Sequence, residues 1–488
     1  MMYNLKRVLW YALTILALVV GCMFTGSWIA LPIIVVAIFS AFAKRLSIVI
    51  WCCFVLPFVV NMNNYILSSK LPLILCERIG VPIIGVIALL ICRNKTIAVR
   101  PLPFGLLFAY CLFEVIPSAV GYSPIISYLK LLLFISFVIA VCGFCRCIAQ
   151  NDRLCFNARH IMLALCLVIL LGSICTIPFP AIAYPLSTRW LVREGMSLSE
   201  ANAQLEITAG TGMRLFAGIF SHSQSFGPVL SVVVCYLLCD MLFLERRIVK
   251  FHCILLIVAM ICAYMTRSRT ALFSLGVTCM MIGCVTVSQV RMSLRTKNNI
   301  KKVLFILTIM VVIAALFLQF RNGTITKWIR KGNVDSTTYE AVSNSRMGAI
   351  MQQVHDFKRS PLFGCGFQVD EFSAMYASSG FALSAPVEKG LLPLVLIGEG
   401  GCVGTFIFIL FLISFYVTCW KRQLFCTQAG FTAVLATNIG EATFFSPGGV
   451  GGCLWVMGIV GCYVIDVWLI KSQITDRIND QYGFIAWN

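Results

Sequence analysis

The chain has 488 residues, of which 60% are hydrophobic and 12% charged, with a formal net charge of +19 and 24 cysteines. A soluble domain carries roughly 45–50% apolar and ~25% charged residues. The composition therefore excludes an ordinary soluble enzyme, and the positive charge does not point to nucleic acid. With a mean hydropathy of +0.93, the sequence reads as an all-α, polytopic transmembrane helix bundle.

About fourteen segments carry the ~20 largely apolar residues that a membrane crossing needs. The first, 8–24, follows Lys6 and Arg7 and runs into "VVGC" at Cys22. Such a pattern resembles a lipoprotein cleavage box, but with thirteen further segments it reads as a first transmembrane helix. Spans at 28–43, 46–67, 74–92, 103–121, 125–149 and 160–177 follow, separated by short charged connections. An outer loop, 178–213, holds Arg189 and Arg193. Spans then resume at 214–243, 251–266, 271–290 and 303–320. The long loop 321–390 contains "NSRMGAIMQQVHDFKRSPLFGCGF", in which Met347, Ile350, Met351 and Val354 recur at helical spacing. That spacing predicts an amphipathic helix lying over the bundle and ending at Ser360-Pro361. Spans at 391–417, 427–446 and 450–470 close a single integral membrane domain, 1–488. Its parts are N-terminal spans (1–177), a first outer loop (178–213), spans with an arginine-rich outer face (214–320), a large extracytoplasmic loop (321–390) and C-terminal spans (391–470).

The basic groups support this count. Lys6/Arg7, Lys44/Arg45, Arg93/Lys95/Arg100, Arg146/Arg153/Arg159, Arg246/Arg247/Lys250, Arg291 through Lys302, Lys421/Arg422 and Lys471 all fall on one side if fourteen spans are counted. The positive-inside rule makes that side cytoplasmic and leaves both termini there.

Most cysteines lie inside apolar segments, so no disulfide framework follows. Cys142, Cys145 and Cys147 have roughly CxxC spacing without a second pair and read as packing rather than a metal site. There is no Walker A sequence, and Gly364-Cys365-Gly366 lacks the third glycine of a dinucleotide fingerprint. No cofactor and no metal are expected.

Ionisable groups inside membrane spans are costly and mark function or pairing. On the traced topology most gather in the outer half: Glu77, Arg78, Glu114, Lys130, Arg214, His222, Glu388, Lys389, Glu399 and Glu441. Glu114 and Lys130 are expected to neutralise each other. Glu77 and Arg78 read equally as interface anchors or site residues, and His222 equally as a packing histidine or a substrate contact. His160 and His252 flank cytoplasmic loops and read as structural. Arg267 and Arg269, between two apolar runs at the outer face, call for an anionic partner. That partner is either lipid phosphate or a phosphate-bearing substrate.

Four stretches together resemble the O-antigen ligase and O-antigen polymerase superfamily of polytopic GT-C-type glycosyltransferases. They are "GIFSHSQSFGPVLSVVV" (218–234), "TRSRTALFSLGV" (266–277), "SRMGAIMQQVHDFKRSPLFGCGF" (345–367) and "EKGLLPLVLIGEGGCVGTFIFILF" (388–411). The likeness covers roughly residues 210–415. It implies that Ser268-Arg269 and Arg346 match family arginines associated with the pyrophosphate of an undecaprenyl-linked sugar donor, with Arg214 where another cation is often found. Many ligases have a histidine where this chain has Glu388-Lys389. That departure leans the reading towards a polymerase of O-antigen or exopolysaccharide.

The resemblance implies an inverting, metal-independent transfer at the outer face of a bacterial cytoplasmic membrane. Preorganised arginines suit a pyrophosphate leaving group. Arg269 and Arg346 are the catalytic candidates, with Glu388 as general base. Arg214, His222, Arg267, Lys389 and Arg189 are substrate-binding candidates. The partners implied are an undecaprenyl-pyrophosphate-linked glycan, membrane lipid, and a chain-length regulator or flippase. Two alternatives remain open: a ligase passing glycan to lipid A-core or protein, and a flippase or other polytopic transporter. A transporter would be expected to place its site near the midplane on broken helices.

Overall fold

The computed structural model describes residues 5–63, 66–67, 71–91, 102–184, 216–244, 250–266, 268–289, 347–369, 391–440 and 442–483. Among the described residues the chain is helical without strands, and Met62 and Phe220 make an isolated antiparallel bridge. Helices α1 (Leu5–Thr25), α2 (Ala30–Phe42) and α3 (Leu46–Val60) open the chain. Next come α4 (71–91), α5 (Gly105–Val120), α6 (Pro124–Gln150) and α7 (Asp152–Cys175). Then follow α8 (Ser223–Leu244), α9 (Lys250–Thr266), α10 (Arg269–Gln289) and α11 (Met347–Arg359). The last three are α12 (Leu392–Lys421), α13 (Phe425–Asn438) and α14 (450–483).

Seven of these helices are long and apolar enough to cross a membrane: Leu5–Thr25, Pro72–Ile91, Pro124–Gln150, Asp152–Cys175, Ser223–Leu244, Leu392–Lys421 and Val450–Ser472. The other expected segments overlap shorter helices, except 303–320, which lies outside the described residues, so seven rather than fourteen helices have crossing length among the described residues. Three boundaries move inward: span 46–67 ends its helix at Val60, and two more follow. Span 214–243 starts its helix only at Ser223, and 427–446 stops at Asn438, because Gly440 and the run Ser446-Pro447-Gly448-Gly449 favour turns over helix.

Local sequence sets the connections. Asn151, extended between α6 and α7, accepts the backbone N–H groups of Arg153 and Leu154 at 3.0 and 3.3 Å, capping α7 and reversing the chain within one residue. Pro124 starts α6, where its missing N–H is not needed. Small residues permit close crossings: a Cβ on Gly143 of α6 would lie 2.2 Å from the Gly85 carbonyl of α4.

Helices α7, α8, α13 and α14 form the interior, and α1, α2 and α12 present apolar side chains outward, with Phe24 87% and Phe39 70% exposed. A water-facing surface would not carry so much continuous apolar area, whereas a lipid-facing one does. The connections sort to two ends. Lys471 of α14 pairs with Asp152 at the start of α7, and Arg7 lies over the Phe156 ring, marking one end. Asn61, His222, Ser268, residues 347–369 and residues 442–449 occupy the other.

Candidate functional site at one end of the bundle

The site is built around a break in α12. At Gly401 the backbone turns to φ 58° and ψ −160°, which releases helical hydrogen bonds inside an apolar span. Non-helical backbone at such depth persists only where protein satisfies it. Here the segment 361–366 does so: Cys402 N–H donates to Pro361 O at 2.9 Å and Val403 N–H to Leu362 O at 3.1 Å. In return Cys365 N–H donates to Gly398 O at 3.0 Å and Gly366 N–H to Glu399 O at 3.2 Å. Gly364, at φ 80°, fits because a Cβ there would lie 1.9 Å from the Glu399 carbonyl oxygen. Two stretches singled out by sequence, "SPLFGCG" and "GEGG", thus interlock backbone to backbone.

Two buried carboxyl groups flank the break. Glu399 is 1% and Glu114 0% exposed, and a Cβ on Gly400 would lie 2.5 Å from Glu114 Oε1. Tyr110, one turn before Glu114, lies within electrostatic reach of both. Its ring stacks on Phe445 with centroids 5.5 Å apart. Lys130 Nζ donates to the carbonyl of Gln368 at 2.8 Å. Glu114 and Lys130, expected as a simple pair, therefore meet different elements, the kink and the loop that follows α11.

Helix α11 forms where the periodicity predicts, but it docks through another face. Gln353 and Asp356 are buried, while Met351 is 59% exposed. A hydrophobic stripe did not select the docked face; hydrogen bonds did. Tyr122 Oη donates to Asp356 Oδ1 at 2.7 Å, Gln352 Nε2 to the same oxygen at 3.0 Å, and Arg359 lies 4.5 Å over the Tyr122 ring. Burial, reinforced by the bond to Asp356, raises the Tyr122 phenol above its ordinary value. Beyond α11, Ser127 Oγ donates to Phe367 O at 3.0 Å, and Phe367 N–H donates to Ser118 Oγ at 3.3 Å.

Residues 442–449 join this region to the next. Phe444 and Phe445 plunge into the bundle, and Trp455 Nε1 donates to Phe444 O at 2.9 Å. Asn438 Oδ1 accepts from Thr443 N at 2.7 Å and Phe444 N at 2.6 Å, fixing the turn. Three polar side chains hold its rim: Gln368 Nε2 donates to Ser446 Oγ at 3.2 Å, Arg78 Nη2 to Gly448 O at 3.2 Å, and Asn61 Nδ2 to Gly449 O at 3.1 Å. Arg78 and the buried Glu77 sit in a π turn, Cys76–Gly80, a widening that often accompanies function. Sequence reasoning missed this loop and Asn438; its signal was the Pro-Gly-Gly interruption of an apolar run.

Across the loop lies the α9–α10 turn. Ser268 Oγ accepts the N–H of Ala271 at 3.3 Å, so α10 begins at Arg269 behind a serine cap. A Cβ on Gly227 of α8 would meet Ser268 Cβ at 2.7 Å, and one on Gly440 would meet Thr270 Oγ1 at 2.2 Å. His222 is exposed at the start of α8 with extended backbone. The Arg269 backbone and His222 therefore stand at the same end as the α12 break. Arg189, Arg214, Arg267, Arg346, Glu388, Lys389 and Glu441 lie outside the described residues, as does the side chain of Arg269.

At the opposite end Arg159 is not the solvated loop cation that charge counting suggests. It is buried, with Nε donating to Asp240 Oδ1 at 2.7 Å and Nη2 to Oδ2 at 3.0 Å. His252 Nε2 donates to Asp240 Oδ2 at 2.8 Å, so one carboxylate ties α7, α8 and α9 together. His160 Nδ1 pairs with the Phe156 carbonyl at 2.7 Å.

The polar end combines acids, cations and hydroxyl groups with a pinned broken helix. Comparison with protein-family models and with curated proteins finds no match to this chain.

Proposed function

We propose that this chain is an integral-membrane glycosyltransferase that polymerises undecaprenyl-pyrophosphate-linked oligosaccharide units at the outer face of a bacterial cytoplasmic membrane. The supporting observation is convergence. The stretches that resemble the O-antigen ligase and polymerase superfamily are far apart in sequence, yet each reaches the same end of the bundle, where Gly227 meets Ser268 and residues 361–366 bond across the break at Gly401. The reading takes fourteen spans, with both termini cytoplasmic and the polar end outward.

In the proposed reaction an acceptor sugar hydroxyl attacks the anomeric carbon of the donor. A new C–O bond forms as the bond to pyrophosphate breaks, with inversion at that carbon. Arg269 and Arg346 take the charge that develops on the departing undecaprenyl pyrophosphate. Glu388 accepts the hydroxyl proton. Arg214, Arg267, Lys389, Arg189 and His222 bind the donor or acceptor.

The transporter reading draws on the break at Gly401, because carriers bind cargo on broken helices. Here the freed backbone groups bond to residues 361–366, which suits a fixed scaffold better than a moving gate.

The test is reconstitution of the purified chain in liposomes with an undecaprenyl-pyrophosphate-linked oligosaccharide and no nucleotide. A ladder of products is expected. Single additions to lipid A-core in place of a ladder would move the assignment to a ligase. Transbilayer movement of the donor without any product would overturn the enzyme reading.

A further inference from the structure

Three cysteines meet in the interior towards the end opposite the polar cluster, with a fourth beside them. The sulfur atoms of Cys235, Cys239 and Cys462 all lie within 4.8 Å of one another, and all three residues are buried. Cys426 is a fourth neighbour, at hydrogen-bond range of Cys239 and within electrostatic reach of Cys462.

Local structure explains the convergence. Cys235 and Cys239 are four residues apart, on one face of α8. Cys462 follows the π turn Trp455–Gly461, whose wider winding shifts the register of α14, and a second π turn, Asp240–Leu244, follows directly on Cys239. Such widenings recur at functional sites. Cys426 sits in the first turn of α13, where Asp466 holds the chain: Oδ1 accepts Cys426 N–H at 3.0 Å, and Oδ2 accepts Thr427 N–H at 2.7 Å and Thr427 Oγ1 at 2.6 Å. The backbone carrying the fourth sulfur is therefore fixed by a carboxylate from the same helix as Cys462.

We propose that Cys235, Cys239, Cys426 and Cys462 form a binding site for a thiophilic d¹⁰ cation, zinc foremost, that clasps α8, α13 and α14. Tetrahedral zinc–sulfur bonds of ~2.3 Å place ligand sulfurs about 3.8 Å apart. The sulfurs of Cys235, Cys239 and Cys462 lie within 4.8 Å of one another, at most about 1 Å beyond that spacing, and Cys426 joins them as the fourth ligand by side-chain rotation. Binding forms four metal–sulfur bonds and releases one proton from each thiol to solvent, with no redox partner. Copper(I) shares the sulfur chemistry and would take three of the same ligands.

The experiment measures zinc and copper per chain by plasma mass spectrometry on full-length protein purified in detergent without chelator. The same protein is then examined by intact mass. About one ion per chain is expected in the wild type, falling below about a tenth in Cys239→Ser and Cys462→Ser, with Cys145→Ser unchanged. Zinc or copper as the bound ion decides between the two sources. Wild-type protein with less than about a tenth of an ion, or variants that keep full metal, would overturn the site. A mass lower by two hydrogens, from a disulfide among these four residues, would overturn it too. The wild-type measurements stand even if a variant fails to fold.

Discussion

Cys402 donates its backbone N–H to the carbonyl oxygen of Pro361, so the break in α12 and the segment after α11 form one structural unit. Neither half is stable alone: the kink leaves polar backbone in an apolar span, and 361–366 has no secondary structure of its own to join. Joining them turns a long connection into a fixed wall of the polar end.

Gly364→Ala tests that unit. The residue has positive φ, and the added carbon would strike the Glu399 carbonyl at 1.9 Å, so the cost is at least about 2 kcal/mol. Expected outcomes are a lower unfolding midpoint in detergent and faster proteolysis near residues 347–369. Gly105→Ala, with open space around its Cβ, serves as the control and leaves both unchanged.

The docking of α11 depends on Tyr122 and Asp356. Tyr122→Phe should cost about 1 kcal/mol, and Asp356→Ala more, since it removes the acceptor of both Tyr122 and Gln352. The folded-state phenol is raised, so the docked form holds the proton more tightly than the undocked form. Its stabilisation is complete below about pH 10 and is lost as pH rises through the raised value. Protease protection of α11 measured from pH 7 to 11 should stay level and then fall only at the alkaline end. A fall near neutral pH would assign docking to another group.

Replacing Asp240 by Asn leaves the buried Arg159 without its counter-charge, at a cost of about 3–5 kcal/mol. Low yield and a depressed unfolding midpoint are expected, with normal turnover per folded molecule. Loss of turnover at full stability would place this end of the bundle in the chemistry.

Under the proposed reaction, Arg269→Ala and Arg346→Ala each stop chain elongation while the protein stays in the membrane. Glu388→Gln keeps size and polarity but cannot take up a proton, and should slow turnover by a factor of ~10²–10⁴. Normal long-chain polymer in either arginine variant, read by gel, would reject those assignments.

Apolar composition alone revealed the helices, because a helix crossing lipid must be apolar along its whole length. The motifs around Ser268, Pro361 and Gly401 were visible as well. The face that α11 buries was not, because Asp356 docks through its bond from Tyr122 and Gln353 packs against Gly398, and neither leaves a hydrophobic stripe. Nor was the burial of Arg159, since its partner Asp240 is 81 residues away.

The sequence by itself determined an all-helical membrane chain, since that follows from local composition. Only the tertiary structure decided that residues 361–366 close the break at Gly401, that residues 442–449 lie at the polar end, and that Cys235 and Cys239 of one helix meet Cys462 of another. Those arrangements depend on contacts between distant segments, where sub-ångström clearances at glycine and the direction of single hydrogen bonds choose the partner.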